Sequence, residues 1–239
     1  MDNKIYEDVN EGVLRQVGCG MKILDVGCST GTLGAEIKRK GNTVWGLDVS
    51  EKAVAIAKDK LDKVFVCDVE DHANLPIHGE QFDVIVYADI LEHLTDPLTT
   101  LREYKRFLKE DGFIVVSLPN IASWIIRVKK LFGPLKPSKY GILDETHKHF
   151  YDLKGAKKLV EEGGYRIETI DVNPNIVRSV IPSLRKILNS EESGQLEKNL
   201  LESKTYKIYR KIVLPLELIP TRKLKSLLAF QFVIKAKIR

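Results

Sequence analysis

Cysteine is scarce in this chain of 239 residues. Cys19, Cys28 and Cys67 are its complete set, an odd number without the paired spacing of a zinc site. They read as reduced, mostly buried thiols, so no disulfide scaffold and no metal are expected. No apolar run approaches the roughly 18 residues of a membrane span. No N-terminal stretch pairs a charged start with an apolar core in the manner of a signal peptide, so a cytoplasmic protein is expected. Acid is nearly absent from Lys204 onward, where Glu217 stands alone against ten lysines and arginines. A basic, partly apolar stretch of that kind could attract a phosphate-bearing substrate, a nucleic acid or an anionic membrane surface, or be a solvated helix face. What remains is ordinary for one globular domain with a good core: 44% hydrophobic residues, 30% charged and a formal net charge of +5.

The informative stretch is Met21 to Gly34, which reads as a buried strand, a glycine-rich turn and a helix start. Ile23, Leu24 and Val26 are strand material, and Gly27, Ser29, Gly31 and Gly34 keep side-chain bulk off the backbone, so a ligand can approach it closely. About twenty residues on, a second apolar run, Thr43 to Leu47, ends in Asp48, where a doubly wound sheet offers a carboxylate to ribose hydroxyls. The glycine spacing alone fits a dinucleotide site or another nucleoside site.

Asp25, two positions ahead of Gly27, separates the two. The order acid-x-Gly-x-small-x-Gly over Asp25 to Gly31 resembles motif I of class I S-adenosylmethionine-dependent methyltransferases. The resemblance implies that the loop, including Cys28 and Ser29, underlies the methionine and ribose of the cofactor, with Asp25 orienting it and Asp48 and Val49 at the ribose. Ser29 departs from the family's middle glycine and fits if its φ is negative. Further matches follow in order. Lys63 to Cys67 reads as a third strand, and Asp68 and Val69 fall where the family brackets the adenine edge. Gln81 to His93 resembles the fourth strand with its Leu91-Glu92-His93 exit, and Ala88 and Asp89 stand where the family contacts cofactor or acceptor. A helix over Leu101 to Lys109, ended by Glu110-Asp111-Gly112, precedes a fifth strand at Phe113 to Ser117, and a helix over Leu153 to Glu162 precedes a sixth at Tyr165 to Val172. Leu227 to Ile238 is the best candidate for the last strand. The implied fold is α/β, a Rossmann-like seven-stranded sheet with that last strand antiparallel at the edge side of the sixth, in a doubly wound three-layer sandwich.

One domain over residues 1–239 is expected, with substrate-side or lid insertions at 119–152 and 173–226. The first places Ile121, Trp124, Ile125, Val128, Leu131 and Phe132 at helical spacing, with Arg127 and Lys130 opposite. The second reads as two or three helices. Before Met21 there is room for one helix, at about Tyr6 to Val17. The cluster Asp144 to Tyr151 supplies the base candidates. His147 comes first, because an imidazole titrating near about 6.5 suits proton removal at neutrality. His149 and Asp89 follow it. His93 reads as orienting the loop, and Trp124, Tyr140 and Tyr151 could line an acceptor pocket. The expected activity is methyl transfer from S-adenosylmethionine to oxygen or nitrogen of a small-molecule or lipid- or sugar-linked acceptor, which the basic region would suit if anionic. The resemblance is to the group that includes ubiquinone-pathway and sugar methyltransferases. Ala88 to Leu91 lacks the Asn/Asp-Pro-Pro-aromatic order of adenine-N6 enzymes, which argues against nucleic acid. Peripheral membrane contact through the basic region stays open, and oligomeric state is not readable. Two alternatives stand beside this reading: a non-catalytic cofactor-binding or adaptor protein, and an NAD-dependent oxidoreductase.

Overall fold

A computed structural model describes residues 9–138, 141–174 and 208–239. Its centre is a seven-stranded sheet: β1 (Lys22–Val26), β2 (Thr43–Asp48), β3 (Lys63–Val66), β4 (Phe82–Ala88), β5 (Leu108–Pro119), β6 (Tyr165–Pro174) and β7 (Ala229–Ile238). The spatial order is β3-β2-β1-β4-β5-β7-β6. The first five strands pair in parallel, and β7 runs antiparallel to both β5 and β6. β7 therefore inserts between the fifth and sixth strands, and β6, not β7, forms the edge. Burial matches this order: β7 buries Phe232, Val233, Ile234 and Ala236 completely, as an inner strand does, while β6 leaves Arg166, Glu168 and Thr169 exposed.

Both faces of the sheet are covered. Leu24, Val26, Ile85 and Tyr87 pack into one apolar cluster, whereas Ile23, Val44, Val84 and Val86 pack into another, the two-residue alternation that a strand imposes. Around the sheet lie α1 (Glu11–Gln16), α2 (Thr32–Arg39), α3 (Glu51–Ala57), α4 (Pro97–Glu103), α5 (Trp124–Leu131), α6 (Leu153–Glu162), α7 (Leu214–Lys223) and the single turn α8 (Lys225–Leu228). Half of these starts have a capping side chain. Asn10, Ser50, Asp96 and Asp152 each accept a backbone N–H of the first turn they precede.

Three boundaries differ from the sequence reading. The helix expected over Leu101 to Lys109 begins earlier, because Asp96 caps it and Pro97 occupies its first position, and it tightens into a 3-10 turn at Tyr104–Phe107. Leu101 and Tyr104 are buried as that pattern requires, but Leu108 opens β5, and Glu110, Asp111 and Gly112, expected to end the helix, lie inside that strand. In α5 the apolar spacing does not mark a buried face: Ile126 is its buried residue, while Leu131 and Phe132 are 82% and 87% exposed. The N-terminal helix is confined to Glu11–Gln16 within the described residues, and most of the second insertion, residues 175–207, lies outside them.

Strand order sets the place of the site. β1 is flanked by β2 on one side and β4 on the other, so chain connections leave in opposite directions from this point and open a crevice at the carboxyl ends of the three strands. Asp25, Gly27, Asp48, Ala88 and Asp89 all belong to those ends.

Candidate active site

The turn after β1 is fastened to β2. Backbone N–H groups of Gly27 and Cys28 both donate to Leu47 O, at 2.8 and 2.9 Å, and Gly31 N–H closes the turn on Cys28 O at 2.9 Å. Gly27 and Gly31 have φ of 74° and 73°, left-handed conformations that suit glycine. Ser29 is left-handed as well, with φ of 47°, which corrects the expectation of a negative value. Its backbone N–H donates to Asp48 Oδ2 at 2.8 Å, so a bond to the neighbouring strand holds serine in the glycine's conformation. The Cys28 thiol turns inward against Gly46, where any added Cβ would sit 2.6 Å from Sγ, and burial first and the Asp25 charge next push its pKa far up. Cys28 thus offers the crevice its backbone and not its sulfur.

Asp48 Oδ1 also accepts the Ser50 N–H, at 2.8 Å. One carboxylate therefore organises both turns and, having about four lone-pair positions, keeps capacity for two hydroxyl donors. Asp48→Ala should weaken S-adenosylhomocysteine binding about 10- to 100-fold, the ~1.5–3 kcal/mol of charged hydrogen bonds. Calorimetric titration checks it, and unchanged affinity would remove Asp48 from the ribose.

Asp25 is 2% exposed, and its Oδ2 has no hydrogen-bond partner. Burial, then the Asp48 charge, raises its pKa from the usual 3.8 to about 7. A proton held more tightly by the folded than by the unfolded chain stabilises fully below pH 3.8, and that stabilisation is lost as pH rises through about 7. In the ligand-free protein Asp25→Asn, which cannot ionise, should match the wild type in thermal melts near the acid end of this window and exceed it above pH 7. A constant difference across the window would show that Asp25 ionises without penalty. The orphaned oxygen, the two glycine turns and the half-engaged Asp48 together fit a nucleoside cofactor carrying cationic and hydroxyl donors.

At the exit of β4, Asp89 has φ of 55°. Its carboxylate accepts from the Ser117 hydroxyl at 2.7 Å, the Gln231 amide at 2.8 Å and the Asn10 amide at 3.2 Å. Asn173 extends the network by donating to Asn10 Oδ1 at 2.6 Å and Gln231 Oε1 at 2.8 Å. Sequence reasoning chose Asp89 but missed these three partners and Asn173 behind them. Gln231 carried a signal, a polar residue inside the apolar run Leu227 to Ile234. With so many donors, Asp89 is arranged as a fixed negative charge.

Glu92 is 1% exposed, and neither of its carboxyl oxygens has a hydrogen-bond partner. Burial, with the Asp89 and Asp144 charges adding to it, holds this carboxyl well above the ordinary carboxylate range. The Glu92 backbone oxygen accepts the N–H groups of Lys148 and His149, at 2.8 and 3.1 Å, which brings the Asp144 to Tyr151 segment to the strand exit. His147 lands with Nε2 3.9 Å from Glu92 Oε1, Nδ1 3.2 Å from Ile142 O and its ring edge-on to His93 at 4.7 Å. His93 Nδ1 lies 3.0 Å from Thr146 Oγ1, and Thr146 donates to Asp144, so His93 is bound into the same loop. His149 faces elsewhere, its Nε2 buried without a hydrogen-bond partner and its ring 6.2 Å from Tyr151. Burial and then Glu92 push the Tyr151 hydroxyl up to about 12.

Among the described residues, Glu92, His93 and His147 place one ligand atom each within 4.8 Å of one another. A carboxylate with two imidazoles is a donor set that a divalent ion accepts. The expectation of no metal, argued from cysteine spacing, did not weigh this trio.

The remaining candidates are more dispersed. Asp68 is exposed and accepts the Glu70 N–H at 2.9 Å, Val69 is buried with its carbonyl on the Tyr104 hydroxyl at 3.1 Å, and Val49 is exposed. Trp124 begins α5, and Tyr140 lies outside the described residues.

Comparison with known proteins agrees with the fold. The family described as "Methyltransferase domain" matches residues 24–116. A ubiquinone biosynthesis O-methyltransferase of Thiobacillus denitrificans is 35% identical over 161 residues, which cover 63% of this chain and 67% of that protein. The enzyme of the same name from Actinobacillus pleuropneumoniae is 34% identical over 109 residues, 42% of this chain and 47% of the relative. The chain thus spans between about half and two thirds of the length of these relatives. Among solved structures, a SAM-dependent methyltransferase from Archaeoglobus fulgidus superposes with a TM-score of 0.58 at 20% identity, covering 95% of this chain and 92% of that one. The magnesium protoporphyrin IX methyltransferase of Synechocystis, solved with bound SAH, gives 0.51 at 18% identity over 67% of this chain and 71% of that one.

Proposed function

Because the chain belongs to the class I S-adenosylmethionine-dependent methyltransferases, we propose that it transfers the cofactor's methyl group to a hydroxyl of a small-molecule or lipid- or sugar-linked acceptor by direct displacement. Oxygen is favoured over nitrogen because the named relatives are O-methyltransferases. The observation that carries the reading is the placement of the His147, His93 and Glu92 group at the β4 exit, on the same sheet end as the glycine turn and Asp48.

When bound, the cofactor supplies an electrophilic methyl on a sulfonium. This chain's residues then have three tasks. The Gly27 to Gly31 turn and Asp48 hold the cofactor against the crevice floor. Asp89, fixed by Asn10, Ser117 and Gln231, sets negative charge at the strand exit where a cationic donor must lie. His147 takes the hydroxyl proton at Nε2 while Nδ1 engages Ile142 O. Holding the two reactants in line supplies much of the acceleration.

Release of S-adenosylhomocysteine, followed over a panel of phenolic, polyprenyl-phenolic, sugar and amine acceptors, tests this. Turnover with hydroxyl acceptors is expected. Turnover confined to amines would move the target to nitrogen, and cofactor binding without turnover on any acceptor would favour a binding protein.

A further inference from the structure

The helix entering α7 is apolar on two sides. Leu214 and Leu218 are buried toward β6, while Ile208, Ile212, Leu216 and Ile219 are 56%, 55%, 64% and 60% exposed. These four recur at intervals of four, four and three residues, which aligns them in one outward stripe. The stripe crosses a widened turn, Tyr209–Val213, just ahead of Pro215, whose nitrogen has no hydrogen to donate. A helix with one face in water ordinarily turns polar residues to it; one apolar all round has apolar surroundings on both sides.

Charge chooses the surroundings. The segment's acid, Glu217, points inward, 5% exposed and accepting the Tyr209 hydroxyl at 3.0 Å. Exposed Lys211, Arg222 and Lys223 flank the stripe, so among the described residues of this helix the outer face has cations and no carboxylate. Two arginines also pin the helix to the domain: Arg210 Nε lies 2.8 Å from Glu11 Oε1, and Arg222 Nε lies 2.8 Å from Asp171 Oδ1. A second copy packed symmetrically on this stripe would set like charges against each other. A surface that is apolar below and anionic above accepts both features at once.

We propose that the helix spanning residues 208–223 seats this protein on an anionic lipid surface, with Ile208, Ile212, Leu216 and Ile219 at the acyl boundary and the lysines at phosphate level. This goes beyond methyl transfer and does not depend on the acceptor being a lipid. The seat is nevertheless linked to the site, since Glu11, the partner of Arg210, adjoins Asn10, whose amide reaches Asp89.

Flotation of the full chain with vesicles tests the proposal. Binding to phosphatidylglycerol-containing vesicles is expected, weaker by about tenfold or more on phosphatidylcholine alone and lowered by salt. Ile212→Asp/Leu216→Asp should abolish binding while leaving melting temperature and S-adenosylhomocysteine affinity unchanged. Should that variant fold poorly, Lys211→Glu/Lys223→Glu carries the test, with loss confined to the anionic vesicles. Failure of the wild type to bind either vesicle, or binding that survives both double substitutions, overturns the proposal. So does sedimentation showing that the apolar substitutions only split a dimer while vesicle binding persists.

Discussion

Exchanging His147 for alanine is expected to lower methyl turnover by about 10² to 10⁴-fold, the range that a positioned proton acceptor contributes. Affinity for S-adenosylhomocysteine should hardly change, because the glycine turn and Asp48 lie on neighbouring strand ends and make none of His147's contacts. Alanine also removes the bond to Ile142 O and the ring packing on His93, so a loosened loop could imitate a lost base. His147→Gln separates the two. Its amide can donate to the same carbonyl but cannot take a proton at neutral pH, so the melting temperature should recover and turnover should not. If turnover recovers with glutamine, or if cofactor affinity falls in step with turnover, His147 is a structural residue.

Gly27→Ala should cost about 2–5 kcal/mol of stability, combining a left-handed backbone penalty of ~1–2 with ~1–3 for overpacking. The geometry is specific. At φ of 74° an added Cβ would meet Ile90 Cγ1 at 2.7 Å and Cδ1 at 2.8 Å. The backbone between Asp25 and Asp48 must then shift, so cofactor affinity should fall together with stability. Pairing Gly27→Ala with Ile90→Ala relieves the steric part and leaves the dihedral part, so the two substitutions should show favourable coupling in a double-mutant cycle read by denaturant melts. Strict additivity would mean that Ile90 does not set the cost, and a variant as stable as wild type would contradict the turn geometry.

These predictions draw on different kinds of legibility. Gly27, Gly31 and Asp48 were readable because the chemistry is local: a turn next to its strand, then one carboxylate at the end of the next strand. Asp89 was readable as a strand-exit acid, but its partners come from positions 10, 117 and 231, which only the assembled sheet brings together. Glu92 was legible as a member of the Leu91-Glu92-His93 exit, but not as a buried residue. Its near-complete burial depends on Lys148 and His149 folding back onto its carbonyl, a contact across more than fifty positions. Ser29 misled because serine seldom adopts a positive φ, and the bond to Asp48 that holds it there is tertiary. β7 was recognised as a strand from its apolar run, yet its berth between β5 and β6 follows from its full burial, which one strand's pattern does not fix. The basic C-terminal stretch was seen as charge. Only the fold turns Glu217 inward and leaves the isoleucines outside.

The most direct test of the account is a calorimetric titration of the wild-type chain with S-adenosylhomocysteine and, separately, with NADH. Saturable one-to-one binding of S-adenosylhomocysteine, weakened by Asp48→Ala, and no heat with NADH is the result that the Asp25, Gly27 to Gly31 and Asp48 geometry requires. Binding of NADH with none of S-adenosylhomocysteine would contradict it.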